Sequence, residues 1–196
     1  IPYSADLNSG DGRGCSFIQS TTYHGERWSS ARGFISPQKN NPNLTIKYRS
    51  RVSRILIEDG KAIGVEYFDE KTGKKFTVHT RGEVILTAGA FITPQLLMLS
   101  GIGDQKSLSS LGITVNSHLP GVGHNLQDHH AVSISVITTR NFGFSGEDRG
   151  LKMIKNGLQY LFFKSGPVSS TGSEVTAFIN PDNPDAPPVI QLYCMG

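Results

Sequence analysis

The feature that most constrains this chain is a short apolar run, EVILT at residues 83–87, which ends at a glycine turn over residues 88–90. A continuous apolar run of this length predicts a strand buried on both faces, as in parallel sheets. Thr93 and Pro94 follow, and this pair favours a helix start because the hydroxyl can cap free amides and proline needs no donor there. The pattern therefore predicts a buried strand, a tight turn and a helix.

Upstream of that run, three segments of β-branched or alternating residues predict an antiparallel meander. They cover residues 52–58, 62–69 and 74–79, with Asp59-Gly60 and Lys71-Thr72-Gly73 between them. These turn residues favour hairpins because glycine and aspartate tolerate positive φ. Strand-like spacing is also shared by four basic residues, Lys47, Arg49, Arg51 and Arg54. That spacing indicates a solvated sheet face rather than a nucleic-acid site.

The rest of the sequence predicts short elements joined by loops. Turn-forming residues dominate 1–16 and 120–130, which predicts loops there. A short helix is expected from Ser29 to before Pro37, and a second one from its cap at Asp104 to Leu111. Later segments predict a strand over 131–138, a helix over 151–163, a strand over 174–179 and another from Val189.

Composition excludes several functional classes. The chain has 196 residues, of which 37% are hydrophobic and 18% charged, as in folded rather than disordered proteins. A formal net charge of +3 is too small to indicate a nucleic-acid partner. No apolar run approaches the roughly 20 residues of a transmembrane segment. The opening at Ile1 has no signal-peptide pattern, and we expect the chain to be a segment of a longer protein.

Three groups of residues are of the types found in metal sites, phosphate loops and cysteine motifs, but their spacing does not match such sites. His124, Asp128, His129 and His130 share one loop, but they match no standard zinc ligand set, so no metal site is predicted. The glycines within 10–14 and 121–123 do not join a parallel strand to a helix start, as a phosphate loop requires. The two cysteines lie near opposite ends of the sequence and form no CxxC motif.

Gly89 is the best local candidate for a ligand contact. Ligands of open α/β sheets bind beyond the carboxyl ends of the strands, where a glycine lets the backbone approach a dinucleotide closely. The alternative is that Gly89 merely allows a tight turn. The local pattern by itself favours the turn.

The run at residues 89–103, GAFITPQLLMLSGIG, resembles the second signature of the glucose–methanol–choline (GMC) oxidoreductases. Four other segments match this family in the right order, namely GERWSSARGFISP at 25–37, VSRIL at 52–56, LPGVGHNLQDH at 119–129 and YLFFKSGPVSSTGSEVTAFI at 160–179. The resemblance covers essentially the whole sequence.

This resemblance implies an α/β fold (α+β overall) that combines part of a Rossmann-like FAD-binding domain with part of an antiparallel-sheet substrate domain. Residues 28–130 would belong to the FAD-binding domain, and residues 1–27 and 131–196 to the substrate domain. In similar proteins the residue matching Val52 offers backbone groups to adenine, and the turn matching Ala88 and Gly89 borders the adenosine half of FAD. The alternative for Val52 is that it is one more buried strand valine.

The implied reaction oxidises a small-molecule alcohol at its CH–OH group, with hydride passing to the flavin and a proton to a histidine. In the family this histidine lies beyond the position of Gly196, and the phosphate-binding GxGxxG lies before Ile1. We therefore expect no catalytic residue among these 196, weak FAD binding and no activity of the segment by itself. The electron acceptor, oxygen or quinone-like, stays open, and so does the localisation.

Two other functions fit the same scaffold. One is an FAD-retaining lyase of the hydroxynitrile-lyase type, which uses the fold without net redox chemistry. The other is a binding module that has lost catalysis.

Overall fold

The computed structural model describes residues 1–10, 12–136, 139 and 143–195. Helices and strands are mixed along the sequence, which confirms the α/β class. The protein divides into two compact units, one formed by residues 1–44 with 134–196 and the other by residues 45–133.

The elements are short. The strands, in sequence order, are β1 (Gly14–Phe17), β2 (Thr22–Tyr23), β3 (Glu26–Arg27), β4 (Ser50–Glu58), β5 (Lys61–Asp69), β6 (Lys75–His79), β7 (Ile102–Gly103), β8 (Ser117–His118), β9 (Val175–Ile179) and β10 (Ile190–Cys194). The α-helices are α1 (Gly89–Leu99), α2 (Gln105–Ser110) and α3 (Gly150–Phe163). Single π or 3₁₀ turns cover Ala31–Ile35, Ser36–Gln38 and Pro167–Ser169.

The predicted meander is confirmed in the unit formed by residues 45–133. Its sheet has the order β4-β5-β6, and both strand pairs are antiparallel. Asp59 and Gly60 both have positive φ, 48° and 74°. Positive φ at both positions is the conformation of a type I′ turn, which matches the twist of the two strands in a two-residue hairpin. The sequence therefore specified this hairpin through its turn.

Helix α1 packs against β4 through its C-terminal end. Leu96 of α1 and Ile55 of β4 are both buried. Gly101 follows the helix with φ +79°, and its carbonyl accepts hydrogen bonds from Asn116 N at 2.8 Å and Ser117 N at 3.1 Å. The segment after α2 thereby returns to the end of α1, where β7 and β8 form a parallel pair.

Helix α2 confirms its predicted cap. The carboxylate of Asp104 accepts a hydrogen bond from Ser107 N at 2.9 Å, which satisfies one of the free amides of the first turn. These contacts hold the pKa of Asp104 below its usual value, the backbone amide of Ser107 having the largest effect. The helix ends at Ser110, close to the expected Leu111.

The predicted buried strand at residues 83–87 was wrong. This segment is part of no strand, and Ile85 is 78% exposed. A strand exists only when a neighbouring strand takes its hydrogen bonds, and within the described residues no strand pairs with this segment. Residues 131–136 likewise form no strand, while positions 137 and 138 of that prediction lie outside the described residues.

The helix start predicted at Thr93 and Pro94 was also wrong. Helix α1 begins at Gly89 and contains Pro94. The missing amide of Pro94 removes the bond to the carbonyl of Ala90. Because Ala90 is exposed, water can satisfy that carbonyl at modest cost. Within the helix, Leu96 is buried but Leu99 is 47% exposed.

The other unit contains an antiparallel sheet of order β1-β9-β10. The loop predicted over residues 1–16 is therefore wrong at its end, where β1 begins at Gly14. Strands near 174 and 189 and the helix near 151 are confirmed by β9, β10 and α3.

Glu26 lies 3.0 Å from Lys164 at the end of α3 and also pairs with Arg32. Lys164, followed by Arg32, holds the pKa of Glu26 below its usual value.

Candidate functional site

The three predicted cofactor residues lie in the unit formed by residues 45–133. Ala88 and Gly89 form the start of α1, and Val52 lies in β4. Helix α1 packs against β4, so the predicted residues lie on two elements that contact each other. The candidate site therefore consists of the N-terminus of α1 and the free edge of β4.

Gly89 has φ +85°, and a Cβ built on it would meet no atom within 4 Å. The positive φ shows that the turn itself requires glycine. The empty surroundings show that no described residue covers the Cα of Gly89. The turn explanation for Gly89 is thus sufficient, while the approach of a ligand to Gly89 remains a prediction.

The N-terminus of α1 has no side-chain cap among the described residues. Ala88 is the N-cap residue and has no side-chain group that could cap the helix, and residues 88–91 are all exposed. The first amides of a helix have no partner inside the helix, and the helix dipole adds partial positive charge there. The arrangement can therefore accept a ligand oxygen.

Val52 lies on an outer strand, because β4 is at one end of the sheet order. One edge of β4 is therefore not covered by a strand of this sheet. Val52 itself is only partly buried. A contact of Val52 with a ligand therefore stays a prediction.

A polar cluster that the sequence analysis missed lies beside Val52. Glu66 is only 8% exposed, and it lies 3.1 Å from the ammonium of Lys75 and 3.2 Å from the guanidinium of Arg54. The Ser53 hydroxyl donates to the same carboxylate at 3.0 Å. Lys75, and to a smaller extent Ser53 and Arg54, hold the pKa of Glu66 below its usual value, against the effect of burial.

The sequence did contain a signal for this cluster. Basic residues occupy alternate positions 47, 49 and 51, and the next one stands at 54 instead of 53. A break in period two is typical of a β-bulge. Arg54 is also paired with a carboxylate, so this part of the basic face is not simply solvated.

The histidine loop holds no ligand set in the structure. No group of three His, Cys, Asp or Glu side chains suited to a metal is found among the described residues. A Cβ on Gly123 would lie 3.2 Å from the methyl carbon of Met98, so the loop passes closely over α1. Both cysteines are free thiols. None of the described helices is long and apolar enough to span a membrane.

A cavity of about 420 Å³ lies at the other end of α1. Its walls include Ile55, Leu99, Ser100 and Thr114, but none of the three predicted cofactor residues. The predicted site is thus an edge and a helix start rather than this cavity.

Comparisons with known proteins show which family the chain resembles. A family model described as GMC oxidoreductase matches residues 2–131. The mitochondrial choline dehydrogenase of Mus musculus is 37% identical over 193 residues, which are 98% of this chain and 32% of that protein. An alcohol dehydrogenase (acceptor) of Pseudomonas putida is 36% identical over 98% of this chain and 35% of its own length.

The fold is also similar to that of a solved oxidoreductase. A solved FAD-dependent oxidoreductase from Chaetomium thermophilum superposes with a TM-score of 0.78 at 32% identity, covering 85% of this chain and 30% of its own. The chain therefore spans about a third of the length of the curated relatives it matches.

Proposed function

The chain belongs to the GMC oxidoreductase family, and on that premise we propose that it forms part of an FAD-dependent enzyme that oxidises the CH–OH group of a small alcohol. The activity is proposed for a polypeptide of the relatives' length, because this chain spans about a third of them. When bound, FAD supplies the acceptor for the hydride of the alcohol. The acceptor that reoxidises it, oxygen or a quinone-like molecule, is not part of the proposal.

The observation that supports FAD most directly is the open start of α1. Gly89 has positive φ, a Cβ added to it would meet no atom within 4 Å, and no described side chain caps the first amides of the helix. These features fit a nucleotide whose polar groups approach the backbone closely. We propose that Ala88 and Gly89 border the adenosine half of FAD and that Val52 binds adenine.

The chemistry of these groups suits a neutral base and its sugar. At Val52 the candidate partners are the backbone amide and carbonyl, which form directional hydrogen bonds and carry no net charge. Specificity then depends on the position of the strand rather than on the valine side chain. A role of this kind is compatible with a partly buried Val52.

For the domains, we propose that residues 28–130 belong to the FAD-binding part and that residues 1–27 and 131–196 belong to the substrate-binding part. The sheet β1-β9-β10 supports the second assignment, because β1 comes from one flank and β9 and β10 from the other. Antiparallel pairing joins these flanks directly.

The test uses the protein expressed at the length of its relatives. Gel filtration followed by absorbance spectroscopy measures whether flavin stays bound. Alcohols are then added without oxygen, and the loss of the visible flavin absorbance reports reduction. Bound flavin that alcohols reduce is the expected result.

Three other outcomes would overturn the proposal. A protein without flavin would exclude an FAD-dependent function. Bound flavin that no alcohol reduces, together with cleavage of cyanohydrins, would establish the lyase. Bound flavin with neither reaction would favour the binding module.

A further inference from the structure

Hydrogen bonds near the start of β4 show which of its backbone groups face the free edge. The Arg49 carbonyl accepts from Glu70 N at 2.9 Å, on the β5 side. The planar peptide group turns the N–H of Ser50 to the opposite side. Because edges alternate from residue to residue in an antiparallel strand, the N–H and C=O of Val52 also face the free edge.

The partner strand supports this assignment. Asp69 pairs with Ser50, yet its N–H donates to the Lys74 carbonyl at 2.9 Å, on the β6 side. The pair of Ser50 and Asp69 is therefore not hydrogen-bonded across β4 and β5. Val52 and Tyr67 form the pair two residues further along β4. They are therefore also a pair without hydrogen bonds between β4 and β5.

In the second half of β4, the alternation of backbone groups between the two edges is shifted by one residue. Ile55 donates its N–H to the Ser100 hydroxyl at 2.8 Å, just after α1. Ile55 therefore also faces the free edge. In a regular strand, residues three apart face opposite edges. Because Val52 and Ile55 face the same edge, the regular alternation is interrupted between them.

Ser53 causes this change. Val52 pairs with Tyr67 and Arg54 pairs with Glu66, so Ser53 is an extra residue with no partner of its own. In a strand without this bulge, Ser53 would take the place opposite Tyr67, and the N–H and C=O of Val52 would be turned towards β5. With Ile55 bound to Ser100 on the free edge, the bulge at Ser53 thus lets Val52 face that edge as well.

Glu66 holds the bulge in place. The Ser53 hydroxyl donates to the Glu66 carbonyl at 3.1 Å and lies 3.0 Å from its carboxylate. Arg54, the next residue, pairs with the other carboxylate oxygen at 3.2 Å. Both residues opposite Glu66 are therefore bound to its side chain, and Lys75 on β6 completes the cluster.

We infer that Ser53 and Glu66 are positioning residues for adenine, because they hold the bulge that presents the N–H and C=O of Val52 at the free edge of β4. The inference rests on the proposed function. The Watson–Crick edge of adenine has an N6 donor beside an N1 acceptor, which matches one backbone carbonyl and one backbone amide. The base would then pair with β4 as an added strand does.

The test compares two nucleotides in the apoprotein at the length of its relatives. One is FAD, and the other is its deaminated analogue with hypoxanthine in place of adenine. Hypoxanthine has an acceptor at position 6 and a donor at position 1, which reverses the pattern. Quenching of flavin fluorescence gives both dissociation constants, and we expect wild type to prefer FAD by about tenfold or more, as two hydrogen bonds allow.

The variants separate positioning from general stability. Ser53→Ala is expected to reduce the preference to about twofold or less, because the hydrogen bonds from the Ser53 hydroxyl to Glu66, which hold the bulge, are lost. Ser53→Thr keeps the hydroxyl and is expected to keep the preference. Asp69→Asn is the matched control, since its partners Lys71 and Thr72 lie in the β5–β6 turn. Thermal unfolding of each variant is measured in parallel.

Equal weakening of both nucleotides in Ser53→Ala, with an unchanged ratio, would overturn the positioning role and leave the proposed function intact. A wild-type apoprotein that binds neither nucleotide would instead overturn the proposed function, and this inference with it.

Discussion

The hydroxyl of Ser100 lies between a helix and a strand: it accepts the N–H of Ile55 at 2.8 Å and donates to the carbonyl of Leu96 at 2.6 Å. Both bonds are buried. Ser100 is part of the run that resembles the family signature. This position therefore has a structural reason for a hydroxyl, which joins the end of α1 to the edge of β4.

Replacing Ser100 by alanine should destabilise the protein markedly. The Ile55 amide would stay buried without an acceptor, which costs about 1–3 kcal/mol. Urea denaturation of Ser100→Ala measures the loss. The control is Ser110→Ala, whose hydroxyl bonds the Ser107 carbonyl in an exposed position, with an expected change of about 0.5 kcal/mol or less. Equal losses in the two variants would contradict the role of Ser100.

Gly101→Ala should be much more damaging than Gly112→Ala. Both glycines have positive φ, +79° and +71°, so alanine strains the backbone at either position by about 1–2 kcal/mol. Only at Gly101 would the new Cβ meet an atom, the Thr114 carbonyl oxygen at 2.2 Å. This overlap should add about 1–3 kcal/mol to the loss of unfolding free energy. Matching denaturation curves for the two variants would contradict the predicted clash.

The contribution of Glu66 to stability should depend on pH. Lys75 is the main cause of its lowered pKa in the folded state. A group whose pKa is lowered on folding stabilises above its unfolded value, here 4.5, and this stability disappears as pH falls through the folded pKa. Glu66→Gln should therefore be less stable than wild type at neutral pH, and the difference should shrink below pH 4.5.

Lys75→Gln provides the matched test of this cause. In the Glu66→Gln background it should have little further effect, because the partner charge is already absent. Salt should weaken the effect, since Lys75 is half-exposed. A pH-independent difference between wild type and Glu66→Gln would show that charge is not involved.

Gly89→Ala tests the proposed nucleotide contact. Because no atom lies within 4 Å of the added Cβ, stability should fall only by the backbone strain of about 1–2 kcal/mol, as for Gly112→Ala. The FAD dissociation constant should rise by about tenfold or more, because a methyl group would stand between the backbone and the nucleotide. Gly112→Ala should leave the FAD affinity unchanged. Fluorescence titration of both apoproteins with FAD gives the comparison, and unaltered affinity in Gly89→Ala would exclude the contact.

The features that the sequence determined by itself are either local or carried by long motifs. Asp59 and Gly60 specified the hairpin because aspartate and glycine tolerate the positive φ that both residues have in its turn. Asp104 specified the start of α2 because its carboxylate reaches an amide three residues later. The long match at residues 89–103 identified the family, which the family model confirms.

Tertiary structure alone decided two features that matter for the site. Residues 83–87 have the composition of a strand but no partner strand among the described residues, and a strand depends on hydrogen bonds to a neighbour rather than on its own residues. The edge that Val52 faces depends on the bulge at Ser53 and on its contacts with Glu66. Hydrophobic periodicity reports which face of a sheet a side chain occupies; the edge to which a backbone group points is fixed only when strands pair.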